Sequence, residues 1–296
     1  MHENYPVVVV DPEWRGPEDM GTKQKFWYRE AEGHGPAWLF KYPQPNTGQH
    51  WAEKIAAEIA RALDIQHART ELAEFESERG SVSESFAPGS TELVHGNQVL
   101  ARTVEGYDRT ARFGQSDHSF SNIWTSFERI FQEQAATEKN RTAFAGYLVL
   151  DAVIGNTDRH HENWGFLRRR VGEDWRGGLA PSFDHASSLG RELLDERRAL
   201  LLDEKRVDWY SERGRGGIHW SGDARYGPSP LELVRKAAEQ HGSYFRSTLE
   251  RAAALTDALV TELVHRVPVD WMSDPARAFV VELICYNRDQ LREVAR

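Results

Sequence analysis

The sequence predicts an α+β fold in two lobes, a small one built on an antiparallel sheet and a larger one that is mainly helical. Three observations carry this. Strand-type runs rich in β-branched and aromatic residues crowd the first hundred or so positions, which they share with one clear amphipathic helix. Helical patterns fill most of the remainder. One of them, "KNRTAFAGYLVLDAVIG", is apolar nearly all round, which marks a helix at the centre of a core. The division falls near residue 105, with a first lobe over 1–105 and a second over 106–296.

The elements follow in order. "YPVVVV" is β-branched and reads as a strand, and "GPEDMGTKQKFWY" as strand, glycine-containing loop and strand. In "PAWLFKY", alternation puts Leu39 and Lys41 on one face and Trp38 and Phe40 on the other. "TGQHWAEKIAAEIARALDI" is a helix with Thr47 as its N-cap and Trp51, Ile55, Ile59, Ala62 and Leu63 as its apolar stripe. "HARTELAEF", "SVSESF", "TELVHG" and "QVLARTVEGY" read as further strands. The helices "SNIWTSFERIFQEQ" and "KNRTAFAGYLVLDAVIG" come next, the second closed by Gly155. A hairpin in "WGFLRRRVGEDWRGGLAPSFDH" and several more helices complete the chain. Ser229-Pro230-Leu231-Glu232 and Asp274-Pro275 are helix starts, and "SERGRGG" at 211–217 is a loop.

Composition narrows the function classes. A chain of 296 residues, 40% hydrophobic and 28% charged, has the balance of a soluble globular protein with a sizeable core. The net charge of −9 argues against a broad nucleic-acid surface, so no direct nucleic-acid binding is expected. The single cysteine, Cys285, has no partner for an internal disulfide and fits no metal-ligand spacing. "VVVV" is too short for a signal peptide and runs straight into Asp11 and Pro12. No apolar run approaches the ~20 residues of a membrane helix. The expectation is a cytoplasmic protein without a membrane partner.

The chemistry concentrates in "IGNTDRHHENWGF", Ile154 to Phe166, directly after the apolar helix. Asn163 and Asp184 are equidistant from Glu173-Asp174, taken as the hairpin turn, so antiparallel pairing brings them together at its open end. Asp158 lies just upstream. An amide oxygen with a carboxylate is a hard-oxygen set suited to Mg²⁺. A second carboxylate with no metal duty can take a proton from an attacking hydroxyl. Phosphoryl transfer adds a cation and a loop over the phosphates. Lys41 is a lone cation on an apolar strand. Gly21 and Thr22 in "MGTKQKF" offer backbone N–H groups beside Lys23 and Lys25. A buried lysine needs an acid, and the following helix offers Glu53 and Glu58; periodicity favours Glu58, which borders the apolar stripe.

The D-x-H-x-x-N spacing of Asp158, His160 and Asn163, preceded by "GNT" and followed by "SFD" ending at Asp184, resembles the HipA-like serine/threonine kinases. It is also similar to the catalytic loop of phosphoinositide-type lipid kinases. The resemblance runs from about Gly21 to the C-terminal helix and implies a two-lobed protein-kinase-like fold using ATP and Mg²⁺. It implies that Asp158 orients or deprotonates the acceptor hydroxyl, that Asn163 and Asp184 bind the metal, and that Lys41 holds the α/β-phosphates. It puts the partner acid at Glu53, against the periodicity. "EGYD" would be the hinge, with main-chain groups of Glu105 and Tyr107 at adenine and Asp108 at the ribose, and His160 near the nucleotide. The resemblance also implies a protein substrate, of the translation machinery in a toxin-type kinase, and a small DNA-binding antitoxin as partner. Ser81, Ser83 and Ser85 are then candidate autophosphorylation sites. The chain departs from the family in two ways. It looks like a compact core without the extra N-terminal subdomain of HipA. His185 follows Asp184 where ordinary protein kinases have Phe-Gly, so no switch of that kind is expected. Two alternatives stand beside this reading: a metal-dependent hydrolase using Asp158, His160, His161, Asp184 and His185, and a non-catalytic binding module.

Overall fold

The computed structural model describes residues 3–14, 25–30, 35–111, 114–220 and 226–296. The first lobe holds β1 (Val7–Val9), β2 (Lys25–Tyr28), β3 (Trp38–Lys41), α1 (Gln49–Ala62), β4 (Thr70–Phe75) and β5 (Glu78–Glu84). These strands form a five-stranded sheet in the order β1-β4-β5-β3-β2. The sheet is mixed rather than wholly antiparallel, because β1 runs parallel to β4. Alternation within a strand carries no information about its direction relative to a partner sixty residues away, so this pairing was not legible from the pattern. The alternation read for β3 holds: Trp38 and Phe40 are buried, while Leu39 and Lys41 are half-buried on the opposite face.

Helix α1 covers the sheet, but its start differs from the expectation. Gly48 is the N-cap, and the Thr47 hydroxyl donates instead to the Gln44 carbonyl at 2.8 Å. Trp51, Ile55, Ile59 and Leu63 are buried, and Ala62 is exposed. Every residue from His50 to Ala60 is buried, so α1 has almost no solvent face. It lies between the sheet and the larger lobe, joining the main core, while Phe26, Phe40, Phe75 and Val82 form a second apolar layer on the sheet's other side.

The remaining elements are β6 (Glu92–His95), α2 (Gly96–Thr103), α3 (Phe120–Ile130), α4 (Gln134–Ile154), β7 (Gly165–Val171), β8 (Asp174–Leu179), α5 (Asp195–Asp203), α6 (Val207–Arg213), α7 (Pro230–Ala253), α8 (Asp257–His265) and α9 (Asp274–Val294). Strand β6 joins β7 and β8 in a second sheet, order β6-β7-β8. The segment "QVLARTV", expected as strand, is the helix α2. Val99, Leu100 and Thr103 share its buried face, and His95 and Gln98 cap it reciprocally. Helix α6 takes 211–213 out of the expected loop. Ser229 and Ser273 cap α7 and α9, each accepting a backbone N–H.

Helix α4 is the central element foreseen. Its residues from Phe144 to Ile154 are all buried, and it packs against α1, α7 and α9. Truncating Phe144 to alanine in such surroundings costs about 3–5 kcal/mol. The helix closes on Gly155 at φ 63, a left-handed cap that turns the chain sharply into the polar loop.

Candidate active site

The loop after α4 is pinned by a buried ion pair. Arg159 donates to both oxygens of Asp151 at 2.8 Å, and Asn156 Nδ2 donates to Asp151 Oδ1 at 2.7 Å. The same guanidinium donates to the Asn163 carbonyl at 2.7 Å and to Ser182 Oγ at 3.0 Å. Asp151 and Arg159 are both almost wholly buried. This girder was not anticipated, although the sequence carried a signal for it. Asp151 is a lone carboxylate in a helix apolar on every side, and such a charge needs a buried cation.

The girder leaves Asp158 and Asn163 on one short loop, with Asn163 lining one cleft, Asp158 a neighbouring hollow, and His160 lining both. The Asp158 carbonyl accepts from His160 N–H at 2.8 Å and from Asn163 Nδ2 at 2.8 Å. Committing the amide nitrogen to the loop leaves Asn163 Oδ1 as the acceptor available to a ligand. The Asp158 side chain is 36% exposed, with Ser187 Oγ donating to its Oδ2 at 3.1 Å and His160 Nε2 at 4.0 Å from its Oδ1.

Asp184 arrives from the segment after β8. The hairpin turns at Gly172-Glu173 rather than Glu173-Asp174, since Val171 pairs with Asp174 and Phe166 with Leu179. Asn163 and Asp184 therefore do not face each other across a regular ladder, and Asp184 reaches the site with a left-handed backbone at φ 60. Its Oδ1 accepts from Lys41 Nζ at 3.0 Å. The Lys41 charge holds the Asp184 carboxyl down to about 2, more than offsetting burial. Burial alone would lower the Lys41 pKa, but the Asp184 and Glu53 carboxylates outweigh it and raise the value.

Of the two acids on α1, Glu58 is not the partner of Lys41. It binds Lys54 Nζ at 2.6 Å and Arg61 at 2.8 Å. Glu53 accepts from the His185 backbone N–H at 2.9 Å through Oε1. Its Oε2 is buried without a hydrogen-bond partner among the described residues. Burial pushes the Glu53 pKa up, yet Lys41 and His185 together bring it below the ordinary value.

Lys41, Asn163, Asp184 and His160 line one cleft of about 560 Å³, whose apolar wall includes Trp27, Leu39, Leu93 and Phe183. Lys25 lies at the same cleft, whereas Gly21, Thr22 and Lys23 lie outside the described residues. Glu105, Tyr107 and Asp108 are absent from the residues lining this space. The Tyr107 hydroxyl is hydrogen-bonded to His161 Nδ1 at 2.7 Å, and the Asp108 carboxylate accepts from Thr110 N–H at 2.8 Å and Oγ1 at 2.7 Å. Ser81 and Ser83 sit within β5 rather than on a loop, with Ser81 buried and paired in register opposite Lys41.

The donor set fits Mg²⁺. Among the described residues no group of three or more His, Cys, Asp and Glu side chains is arranged to hold a metal between them. Mg²⁺ asks for less: one or two carboxylates, waters and substrate phosphates, which Asp184 with the Asn163 amide can complement. The histidines of the hydrolase alternative are engaged in structure, His161 with Tyr107 and His185 Nε2 with Ser182 Oγ at 2.7 Å. No helix of the described residues is long and apolar enough to cross a membrane.

Residues 20–267 match the family described as the HipA-like C-terminal domain. The chain is 24% identical over 154 residues to the serine/threonine-protein kinase CtkA of Helicobacter pylori strain J99, a match covering 50% of this chain and 45% of that protein. The matched portion therefore spans less than half the length of that relative. The crystal structure of a Helicobacter pylori proinflammatory kinase CtkA superposes with a TM-score of 0.77 at 17% identity, over 98% of this chain and 97% of that one. A HipA chain from a toxin–antitoxin complex of Shewanella oneidensis MR-1 with HipB and operator DNA gives a TM-score of 0.56 at 15% identity, covering 99% of this chain and 67% of that one. At these identities the structural likeness carries the fold, a strand-rich lobe joined to a helical lobe.

Proposed function

The chain belongs to the HipA-like C-terminal domain family, and from that premise we propose that it transfers the γ-phosphoryl group of ATP to a serine or threonine hydroxyl of a protein. The observation that carries this reading is the Lys41–Asp184 contact of 3.0 Å across the cleft that Asn163 also lines. A cation, a carboxylate and an amide oxygen meet there, beside a further carboxylate, Asp158, that no cation holds at hydrogen-bond distance among the described residues.

In this reading Lys41 binds phosphate oxygens, with the buried Glu53 carboxylate nearby to steady its charge. Asp184 and Asn163 hold Mg²⁺, which supplies charge neutralisation on the phosphates when bound. Asp158 receives the proton of the acceptor hydroxyl, and Ser187 keeps one carboxylate oxygen oriented by donating to it. His160 lies at the cleft beside them. The resemblance assigned main-chain groups of Glu105 and Tyr107 to the adenine, and that assignment stays a proposal. So do a toxin role, a substrate in the translation machinery and a small DNA-binding partner; a HipA of this fold occurs in complex with HipB and operator DNA.

The test is incubation of the pure protein with γ-labelled ATP and Mg²⁺, followed by mass spectrometry of the protein and of added cell extract. Phosphoserine or phosphothreonine that depends on Mg²⁺ and disappears in Asp158→Asn supports the reading. Transfer undiminished in that variant removes the role given to Asp158, and absence of any transfer removes the activity.

A further inference from the structure

Asp158 opens away from the nucleotide cleft onto a second space. A hollow of about 260 Å³ is lined by Asp158, His160, Thr157, Gly217 and Arg215. An adjoining hollow of about 400 Å³ shares Thr157 and Arg215 and adds Ser187, Arg191, Arg213 and Trp209. His160 lines both the first hollow and the nucleotide cleft, so it stands between them. The two hollows form a trough that begins at the Asp158 carboxylate and leads away from the nucleotide.

The charge of this trough is opposite to that of the chain. The net charge is −9, yet the second hollow carries three arginines against one glutamate. That glutamate, Glu192, is engaged by the Tyr210 hydroxyl at 2.7 Å. Arg213 and Arg215 are exposed and have no ion pair among the described residues. Arg213 lies over the Trp209 ring, 4.9 Å from its centroid, which holds the guanidinium without neutralising it. Arg191 donates to Ser187 Oγ at 3.2 Å, one bond from Asp158. The backbone fixes the arrangement. A Cβ on Gly217 would come within 2.9 Å of the Arg159 carbonyl carbon, so the segment carrying Arg215 rests directly on the loop that carries Asp158.

We propose that this trough binds an acidic stretch of the acceptor protein, Asp or Glu residues flanking the serine or threonine that reaches Asp158. The inference rests on the kinase reading, and charge complementarity is its argument: unpaired guanidiniums beside the proton acceptor attract carboxylates and set register.

The test uses fluorescein-labelled serine peptides that differ only in flanking residues, Glu, Gln or Lys, with the full chain and MgADP present. Anisotropy reads binding, and phosphorylation of the same peptides with MgATP reads transfer. Wild type is expected to bind the Glu peptide about tenfold tighter than the Gln peptide, an advantage that shrinks as salt rises. Arg213→Glu/Arg215→Glu is expected to erase or invert it, and Arg213→Gln/Arg215→Gln to reduce it. Both positions are exposed, and an unchanged melting temperature verifies folding. Equal binding of Glu and Gln peptides by wild type, or an advantage that survives in the reversed variant, overturns the proposal. Transfer to peptides without acidic preference leaves the kinase reading standing and removes this one. Acidic preference in binding with no transfer to any peptide supports the trough and removes the kinase reading.

Discussion

Lys41 on β3 and Asp184 beyond β8, 143 positions apart, meet at 3.0 Å. On the proposed reading both engage a metal-bound triphosphate, so their contributions to binding are coupled. Lys41→Met and Asp184→Asn are each expected to weaken MgADP binding by about tenfold or more, with the double variant little worse than either single one. Calorimetric titration of the four proteins measures it. Fully additive losses would mean that the two residues serve the ligand independently.

Asp158→Asn keeps the size of the side chain and removes its basicity. Phosphoryl transfer is expected to fall about 100-fold or more while ADP affinity changes less than about twofold. Single-turnover kinetics beside equilibrium binding separates the two.

On the proposed reading Ser187 is a positioning residue, since it touches Asp158 and does not line the cleft of Lys41 and Asp184. Ser187→Ala is expected to lower kcat about tenfold with KM for ATP unchanged, the scale of a lost hydrogen bond to a charged group. Ser187→Thr, which keeps the hydroxyl, is expected to recover most of the rate. A change in KM for ATP with kcat intact would assign Ser187 elsewhere.

Arg159→Met strands a buried carboxylate at Asp151. Urea unfolding is expected to show a loss of about 3–5 kcal/mol. Asp151→Asn/Arg159→Met, which removes both charges, is expected to be milder than Arg159→Met alone.

His118 accepts from Trp164 Nε1 at 3.0 Å through Nε2, so its proton sits on Nδ1 and points to the Gly217 carbonyl at 2.7 Å. Burial, reinforced by neighbouring histidines, lowers its pKa to about 3. The unfolded chain takes up this proton near pH 6.5. The contribution of His118 to stability is therefore complete above about pH 6.5 and is lost as pH falls from there toward about 3. His50, lowered to about 4 by burial, adds a slope of the same sign. His118→Gln is expected to flatten the dependence of unfolding free energy on pH across that interval. An unchanged slope would show that His118 is not the group titrating.

Signals that lie within one stretch of chain were legible. The central helix α4, its glycine cap and the D-x-H-x-x-N loop depend on periodicity and short spacings, and they occur where those pointed. Other features were hidden for identifiable reasons. Periodicity favoured Glu58 over Glu53 as the partner of Lys41 and misled, because amphipathicity needs a solvent face and this helix is buried on nearly every side. The hairpin centre moved by one residue because Gly172 at φ 66 can take the turn position that Glu173 and Asp174 were expected to share. The segment of α2 formed a helix because its capping box and one buried face prevailed over β-branched content.

By itself the sequence determined the lobes, the order of most elements and the residue types of the site, since these follow from propensity and pattern along the chain. The tertiary structure alone decided that Lys54 takes Glu71 as well as Glu58, that Arg79 meets Asp270, and that Arg191 shares a hollow with Arg213 and Arg215. Those are meetings of charges from separate segments. A charge chooses its partner by proximity in a low-dielectric interior, and spacing along the chain does not encode that proximity.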